Sequence, residues 1–507
     1  MPASRLIPRT PPSPPPAVRV LGARRGPRRP LRPRRTEVWA VAAIVAAGAA
    51  LRFSTLDLQS FWDDEAVTVG TVLAPSLWST LGHIPSSEAS PPLYYVLAWL
   101  WTKVFGHGEV GIRSLSAVLG TATIPVVWWA GRTLVSRPVG LAAAALVAAS
   151  PEMVWYSQEA RGYALLVLLC AISLGCMAEV LRSGSRRMLA GWAIASGLAI
   201  ATHYFGAFVA IPEAIALFLL RPELRRRVLV ATAAVGAVGA ALLPLAIHQA
   251  GYGHDVWIKY LLLSQRLGQL WKEFAIGRAG TPPDHLLAIG HIATIATAAL
   301  AVWGGVQRER RRGFGLALGI GAGALVLPLA LKLVNEDYFY ARNLIGAWVA
   351  LAVAVAVAAS VRWIGALAIA ALCGVFLAIN IVIDSDPKIQ RADWRAVAHA
   401  IGPAPRLRAI VAPKDGRHAI VYYLGRTREI PEGSLAVSEI DLLGRSRAHG
   451  PRFGPIPSGF RRISRRRVAR FTFIRYVAQG RHRLTVDQLR NARLDETRAA
   501  VLLQRTP

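Results

Sequence analysis

Apolar runs of roughly 17–22 residues recur along this chain, and each is long enough to cross about 30 Å of hydrocarbon. They fall at about 37–53, 110–134, 138–154, 160–181, 188–203, 204–220, 228–248, 286–305, 314–333, 344–360 and 362–383. In hydrocarbon each segment must satisfy its own backbone polar groups, so every run is predicted to be a helix. The pattern predicts an all-α polytopic membrane protein with about 11 transmembrane helices, within a range of 11–13. The runs 188–203 and 204–220 are joined by almost no loop. One further apolar stretch, 91–106, would be only about 24 Å long as a helix, and Lys103 shortens its apolar part.

The arginines give these spans a direction. Four connections are Arg-rich: Arg132/Arg137, Arg182/Arg186/Arg187, Arg221/Arg225/Arg226/Arg227 and Arg308/Arg310/Arg311/Arg312. Short cytoplasmic loops collect Lys and Arg. All four loops lie in the cytoplasm if the N-terminus is inside and 91–106 rests at the interface. If 91–106 crosses, all four are outside. The first arrangement is the expectation, with an interfacial helix in the first extracytoplasmic loop. An odd count then places everything after residue 384 outside, and its arginines do not prevent this because long domains translocate largely regardless of charge. The expected address is the inner or plasma membrane, with the active site and C-terminal region extracytoplasmic.

Composition supplies the flanks. Residues 1–36 hold ten Arg and ten Pro with no acid, which reads as a disordered cytoplasmic tail that touches membrane lipids. Without aromatic residues among those arginines, no nucleic-acid partner is expected. Residues 37–384 form the membrane domain. Residues 385–507 are polar, with a strand pattern at Arg408–Ala412 and a helix start at Asp393-Trp394, and read as a small α/β domain. Cys170, Cys176 and Cys373 all lie inside apolar spans, without disulfide or metal spacing. No zinc spacing and no phosphate-binding Gly-rich loop occurs, so neither a metal site nor a nucleotide-binding domain is predicted. No internal repeat suggests inverted halves.

Against a formal charge of +30 there are only 29 acids, and three stand together as Asp63-Asp64-Glu65 just after the first span. An acidic helix N-terminus facing water would favour the helix dipole. Phe61 and Trp62 make the surroundings partly apolar, and a carboxylate at such a place can serve as a proton acceptor. Glu159 and Arg161 lie at the outer mouth of another span, and Arg342 lies in a similar position. A guanidinium at headgroup level suits a phosphate, with Glu159 orienting Arg161; snorkelling from an interfacial aromatic belt is the plainer role. His203 ends a span at the outer face. Glu213 follows Pro212 inside a span, where it either has a function or satisfies freed backbone groups while protonated.

Several segments in order resemble a known family. They are Leu58-Gln59-Ser60-Phe61-Trp62-Asp63-Asp64-Glu65-Ala66, Ser90-Pro91-Pro92-Leu93-Tyr94-Tyr95, Phe105-Gly106 with Glu109 and Arg113, Tyr156-Ser157-Gln158-Glu159-Ala160-Arg161-Gly162-Tyr163, Thr202-His203-Tyr204-Phe205 and Asp393-Trp394-Arg395-Ala396. Together they are similar to bacterial family 39 glycosyltransferases, relatives of the protein mannosyltransferases and the aminoarabinose transferase, over roughly residues 37–400. Ser90 stands where that family usually has His. The resemblance implies a GT-C fold, a juxtamembrane helix at 91–106 and a polyprenyl-phosphate sugar as donor. It implies an envelope glycan, lipid or protein as acceptor, and no cofactor, with a divalent metal left open. It aligns the catalytic pair as Asp64-Glu65, with Asp64 the general base of an inverting transfer and Glu65 its support. Arg161, Arg342 and Glu159 are then donor-phosphate residues, and Asp63, His203 and Tyr163 are acceptor or support residues, with Asp63 the dispensable acid. Two other readings stand beside it. One is a transporter or flippase for a lipid-linked envelope substrate, which needs a polar path such as Glu213. The other is a non-catalytic assembly partner that binds through 385–507.

Overall fold

The computed structural model describes residues 34–253, 256–278, 282–445, 454–494 and 498–506. Almost all of the cationic tail expected at 1–36 therefore lies outside the described residues.

Among the described residues sixteen α-helices lie before residue 386. The first is α1 (Arg35–Phe53). Four lie in or just after the first loop: α2 (Asp63–Val67), α3 (Leu77–Ser87), α4 (Leu93–Phe105) and α5 (Glu109–Leu134). They are followed by α6 (Arg137–Ala149), α7 (Pro151–Ser157), α8 (Tyr163–Ser183), α9 (Arg186–Thr202), α10 (Ala207–Leu220) and α11 (Arg225–Ala250). The last five are α12 (Leu263–Ile276), α13 (Asp284–Gly305), α14 (Arg311–Leu331), α15 (Ala347–Ala356) and α16 (Arg362–Ser385). Each of the eleven apolar runs is helical. Among the described residues seven helices are long and apolar enough to cross a membrane, or eight if the bent pair α6–α7 is one span.

The bend in that pair has a local cause. Pro151 lacks an N–H and cannot continue α6. The Ser150 hydroxyl then accepts from the Met153 N–H and starts α7 at an angle of 59° to α6. The run expected as one span over 138–154 is thus broken, and residues 158–162 are carried beneath the first loop. The stretch expected at the interface becomes α4, whose 13 residues would span only about 20 Å. It packs on the first loop and against α5, where Trp101 Nε1 donates to Ser114 Oγ at 2.9 Å. Trp99 Nε1 donates to the Ala74 carbonyl at 3.0 Å and Lys103 Nζ donates to that of Pro75 at 3.1 Å.

The turns at 135–136, 184–185, 221–224 and 306–310, which hold or are flanked by the clustered arginines, join helix ends opposite the first loop. The loops after α1, α7, α9, α11 and α14 gather at the other end.

Beyond residue 385 a six-stranded mixed sheet forms, in the order β2-β6-β1-β3-β5-β4. Its strands are β1 (Arg408–Pro413), β2 (Thr427–Glu429), β3 (Ser434–Arg445), β4 (Arg461–Val468), β5 (Phe471–Thr485) and β6 (Ala499–Gln504). Only β1 and β3 pair in parallel; the other pairs are antiparallel. Every residue of β1 is buried, as expected for a strand covered on both faces. Ala409 and Val411 face one core with Ile474 and Val501, and Ile410 faces the other. That second face carries α17 (Trp394–Ile401) and α18 (Arg417–Leu424), and its core is continuous with the helical bundle. The sheet is therefore seated on the bundle through apolar packing.

Candidate active site

The acidic triplet forms the first turn of α2, where negative charge is favoured by the helix dipole. A π-helical turn, Thr68–Val72, follows at once. Such turns recur at functional sites because they re-aim the backbone. The three carboxylates then part company.

Asp64 points into open space, with about a third of its side chain exposed, and its Oδ2 lies 3.2 Å from Arg342 Nη1. Arg342 sits in the short 3-10 turn Ala341–Leu344 and lies over the Trp257 and Tyr340 rings, at 5.4 and 5.8 Å. Arg161 approaches from the α7–α8 connection. Its Nη1 donates to Thr68 Oγ1 at 3.1 Å and to the Asp64 carbonyl at 3.4 Å, and it pairs with Glu88 at 2.7 Å. Burial raises the Glu88 carboxyl above its ordinary range despite Arg161. Glu88, not Glu159, thus orients Arg161; the expected Glu159–Arg161 pairing is not made.

Glu65 points the other way and is fully buried. It holds Arg113 at 2.6 Å and Arg391 at 3.3 Å, and accepts from the Ala160 N–H at 2.9 Å. Burial would raise its carboxyl, but the two guanidiniums and the N–H outweigh burial and hold it below the ordinary range. Arg113 also donates to the carbonyls of Leu56, Gln59 and Ser60, so Glu65 and Arg113 together bind the first loop to α5. With its oxygens taken, Glu65 is placed to hold Asp64 rather than to touch a substrate. Glu159, also buried, pairs with the same Arg391 at 2.7 Å.

Asp63 is not idle. It accepts from the His418 backbone N–H at 3.0 Å and lies 3.1 Å from that ring's Nδ1. Beside it, Tyr423 accepts from the Phe61 N–H at 2.8 Å and donates to Glu109 at 2.6 Å. The first loop is thus fastened to α18, a contact between residues more than 350 positions apart that local sequence cannot signal.

A cavity of about 900 Å³ opens over these groups. Asp63, Asp64, Glu88, Arg161, Tyr163, His203 and Arg342 line it, and Lys414, Arg417 and His418 close it from the C-terminal unit. His203 is packed against the Tyr163 and Phe205 rings, at 5.8 and 4.7 Å, and its Nδ1 has no hydrogen-bond partner among the described residues. The cavity continues past Ala89, Phe205 and Gly253 into a groove of about 440 Å³ walled by Phe208, Ala246 and Leu331 from α10, α11 and α14. On its far side Asp64 meets a chamber of about 600 Å³ lined by Trp62, Trp155, Glu159, Arg278 and Arg391. Arg278 was not singled out in the sequence; it donates to Tyr156 Oη at 2.6 Å and lies over the Trp62 ring. A lone Arg in a polar loop carries no pattern, so only packing reveals it. Glu213 sits elsewhere, buried between helices and accepting from Trp192 Nε1 at 2.9 Å. It lines none of these cavities. Among the described residues no group of three or more His, Cys, Asp or Glu could hold a metal ion.

This arrangement has relatives. Residues 89–248 match the family model described as dolichyl-phosphate-mannose-protein mannosyltransferase. Apo ArnT from Cupriavidus metallidurans superposes with a TM-score of 0.53 at 12% identity, covering 77% of this chain and 85% of that one. ArnT bound to undecaprenyl phosphate gives 0.48 at 15% identity, over 76% and 84%. The Archaeoglobus fulgidus oligosaccharyltransferase tethered to an acceptor peptide gives 0.45 at 12%, over 77% and 59%. No curated protein matches the chain. The superposition on ArnT gives the chain a GT-C type of fold, and residues 89–248 resemble the protein mannosyltransferases. That segment contains Arg161, Tyr163 and His203 but neither Asp64 nor Arg342.

Proposed function

We propose that the protein moves a sugar from a polyprenyl-phosphate donor to an acceptor hydroxyl at the extracytoplasmic face of the membrane, with inversion at the anomeric carbon. The observation that carries this reading is the Asp64 carboxylate, open to a cavity and flanked by Arg342 and Arg161. A base beside two cations suits a reaction in which a hydroxyl loses a proton while a phosphate departs. The groove between α10, α11 and α14, apolar along Phe208, Ala246 and Leu331 and polar at Lys259, Glu336 and Asp337, joins that cavity, and its apolar wall suits a polyprenyl chain whose phosphate reaches the arginines.

In the step proposed, the acceptor oxygen attacks the anomeric carbon as Asp64 takes its proton. The new C–O bond forms as the bond to the phosphate oxygen breaks, and the electron pair leaves with the polyprenyl phosphate. Arg342 and Arg161 neutralise the charge that grows on that phosphate, an effect worth a few kcal/mol when the donors are fixed beforehand. A positioned base adds roughly 10²–10⁴-fold. Glu65, Glu88 and Glu159 act through others: they hold the first loop, Arg161 and Arg391.

The test is transfer in membranes supplied with a panel of polyprenyl-phosphate sugars and an envelope extract. Asp64→Asn is expected to abolish transfer while the protein remains inserted and folded. Full transfer by that variant overturns the assignment, and loss in Asp63→Asn alone moves the base by one residue. The transporter reading loses its support because Glu213 lies in packed helices away from the cavities.

A further inference from the structure

We infer that the C-terminal α/β unit carries the acceptor-binding groove, and that the acceptor is an anionic oligosaccharide bearing carboxylate or phosphate groups. The inference rests on the glycosyl-transfer reading of the Asp64 cavity and adds what that reading leaves open, the chemistry of the acceptor.

The cavity over Asp64 does not end at the sheet. At Lys414 and Arg498 it meets a second chamber of about 690 Å³ that lies wholly on the C-terminal unit. Lys414 follows β1 in a 3-10 turn, and its backbone N–H donates to the Arg498 carbonyl at 2.9 Å. That bond sets two cations side by side where the chambers join. Each chamber alone is the size of a site for a drug-sized ligand, so two in series suit several linked sugar rings.

Among the described residues that line the two chambers, eight Lys and Arg face six Asp and Glu, so positive charge is in excess. Three carboxylates of the C-terminal unit line it, and each already faces an arginine. Asp415 pairs with Arg445, Glu429 with Arg417 at 3.1 Å and Asp487 with Arg490 at 3.4 Å. Lys414, Arg493 and Arg498 are left without a carboxylate partner among the described residues. Residues 385–507 hold 25 Lys and Arg against 10 Asp and Glu, a net +15, half of the chain's +30. Cations of one sign in a walled groove attract and concentrate an anionic chain. The groove leads it toward Asp64, where a hydroxyl is needed.

The experiment uses the full chain carrying Asp64→Asn, in nanodiscs of uncharged lipid, so that turnover does not intervene. The probes are a galacturonic acid hexamer, a glycerol phosphate oligomer and a neutral maltohexaose, with binding read by fluorescence titration at low and high salt. Saturable binding of at least one anionic probe is expected, and none of maltohexaose. The preferred anionic probe tells carboxylate from phosphate. Lys414→Ser with Arg498→Ser should weaken binding by about 10-fold, the sum of two partly exposed ion contacts. Arg461→Ser with Arg467→Ser, on the exposed edge strand β4, removes the same charge elsewhere and should change it by less than about 2-fold. Equal binding of maltohexaose, an equal loss in the edge-strand control, or binding only to discs containing anionic lipid overturns the inference. Because binding is read without turnover, active Asp64→Asn would remove the transfer reading and leave this result standing on its own.

Discussion

At the scale of residues, three neighbouring acids have three different environments, and each environment predicts a different defect. Asp64 shares its cavity with Arg342, so Arg342→Ala should lower kcat by roughly 10²–10³-fold, the cost of losing one fixed charge-stabilising donor. A change confined to KM would mean that Arg342 only binds the donor. Glu65 is buried between Arg113 and Arg391, and breaking such a pair leaves uncompensated charge at a cost of about 3–5 kcal/mol. Glu65→Gln should therefore lower the melting temperature in detergent at neutral pH. The sign of its pH dependence follows from the lowered carboxyl. Its stabilisation is complete above the unfolded value, about 4.3, and is lost as pH falls through the lower folded value. The gap between wild type and Glu65→Gln should accordingly narrow in acid, and a gap that widens there would contradict the burial of an ionised Glu65. The triplet stood out in the sequence because acids are scarce in so basic a chain. The division of labour was not, because the partners come from Arg113, Arg342, Arg391 and His418, far away in sequence.

At the scale of elements, short pieces do the positioning. The five residues of α2 cannot be stable as an isolated helix. They are held by Arg113 below, by Arg161 on the π-helical turn and by α18 above. Tyr423 on α18 accepts from the Phe61 N–H and donates to Glu109. Tyr423→Phe removes both bonds from a largely buried place, at a cost of about 1–3 kcal/mol. Faster hydrogen exchange should follow at 58–66 and 417–424 together. Loosening of only one segment would mean that the two are not fastened by this contact. Sequence patterning predicted 91–106 as a short interfacial helix within the first extracytoplasmic loop, and α4 is such a short helix. The patterning did not show the break at Ser150, where an apolar run continuous in composition is interrupted by one proline and one hydroxyl cap.

At the scale of the whole molecule, the Arg-rich turns and the site lie at opposite ends of the helices, and the sheet is seated over the site through α17 and α18. The topology proposed here is testable without assaying activity. Ser86→Cys, beside the cavity, should react with a membrane-impermeant maleimide in intact cells. Arg187→Cys, in the first turn of α9 at the Arg-rich end, should react only after permeabilisation. The reverse pattern would invert the molecule and move the proposed reaction to the cytoplasm. Cys170 and Cys176 are buried and give little background in such labelling.

The sequence by itself determined the membrane class, the position of each apolar helix and the end of the bundle that carries the acidic triplet. Those properties follow from the length of apolar runs and the placing of arginines, which are local quantities that bilayer thickness and charge bias act on directly. It also singled out the acidic triplet, through composition. Only the tertiary structure decided which acid is open, which is clamped and which is a fastening. It also decided that Glu88 rather than Glu159 orients Arg161, and that the C-terminal sheet roofs the cavity. Ion pairs between distant segments depend on how helices and sheet pack, and no local pattern carries that information.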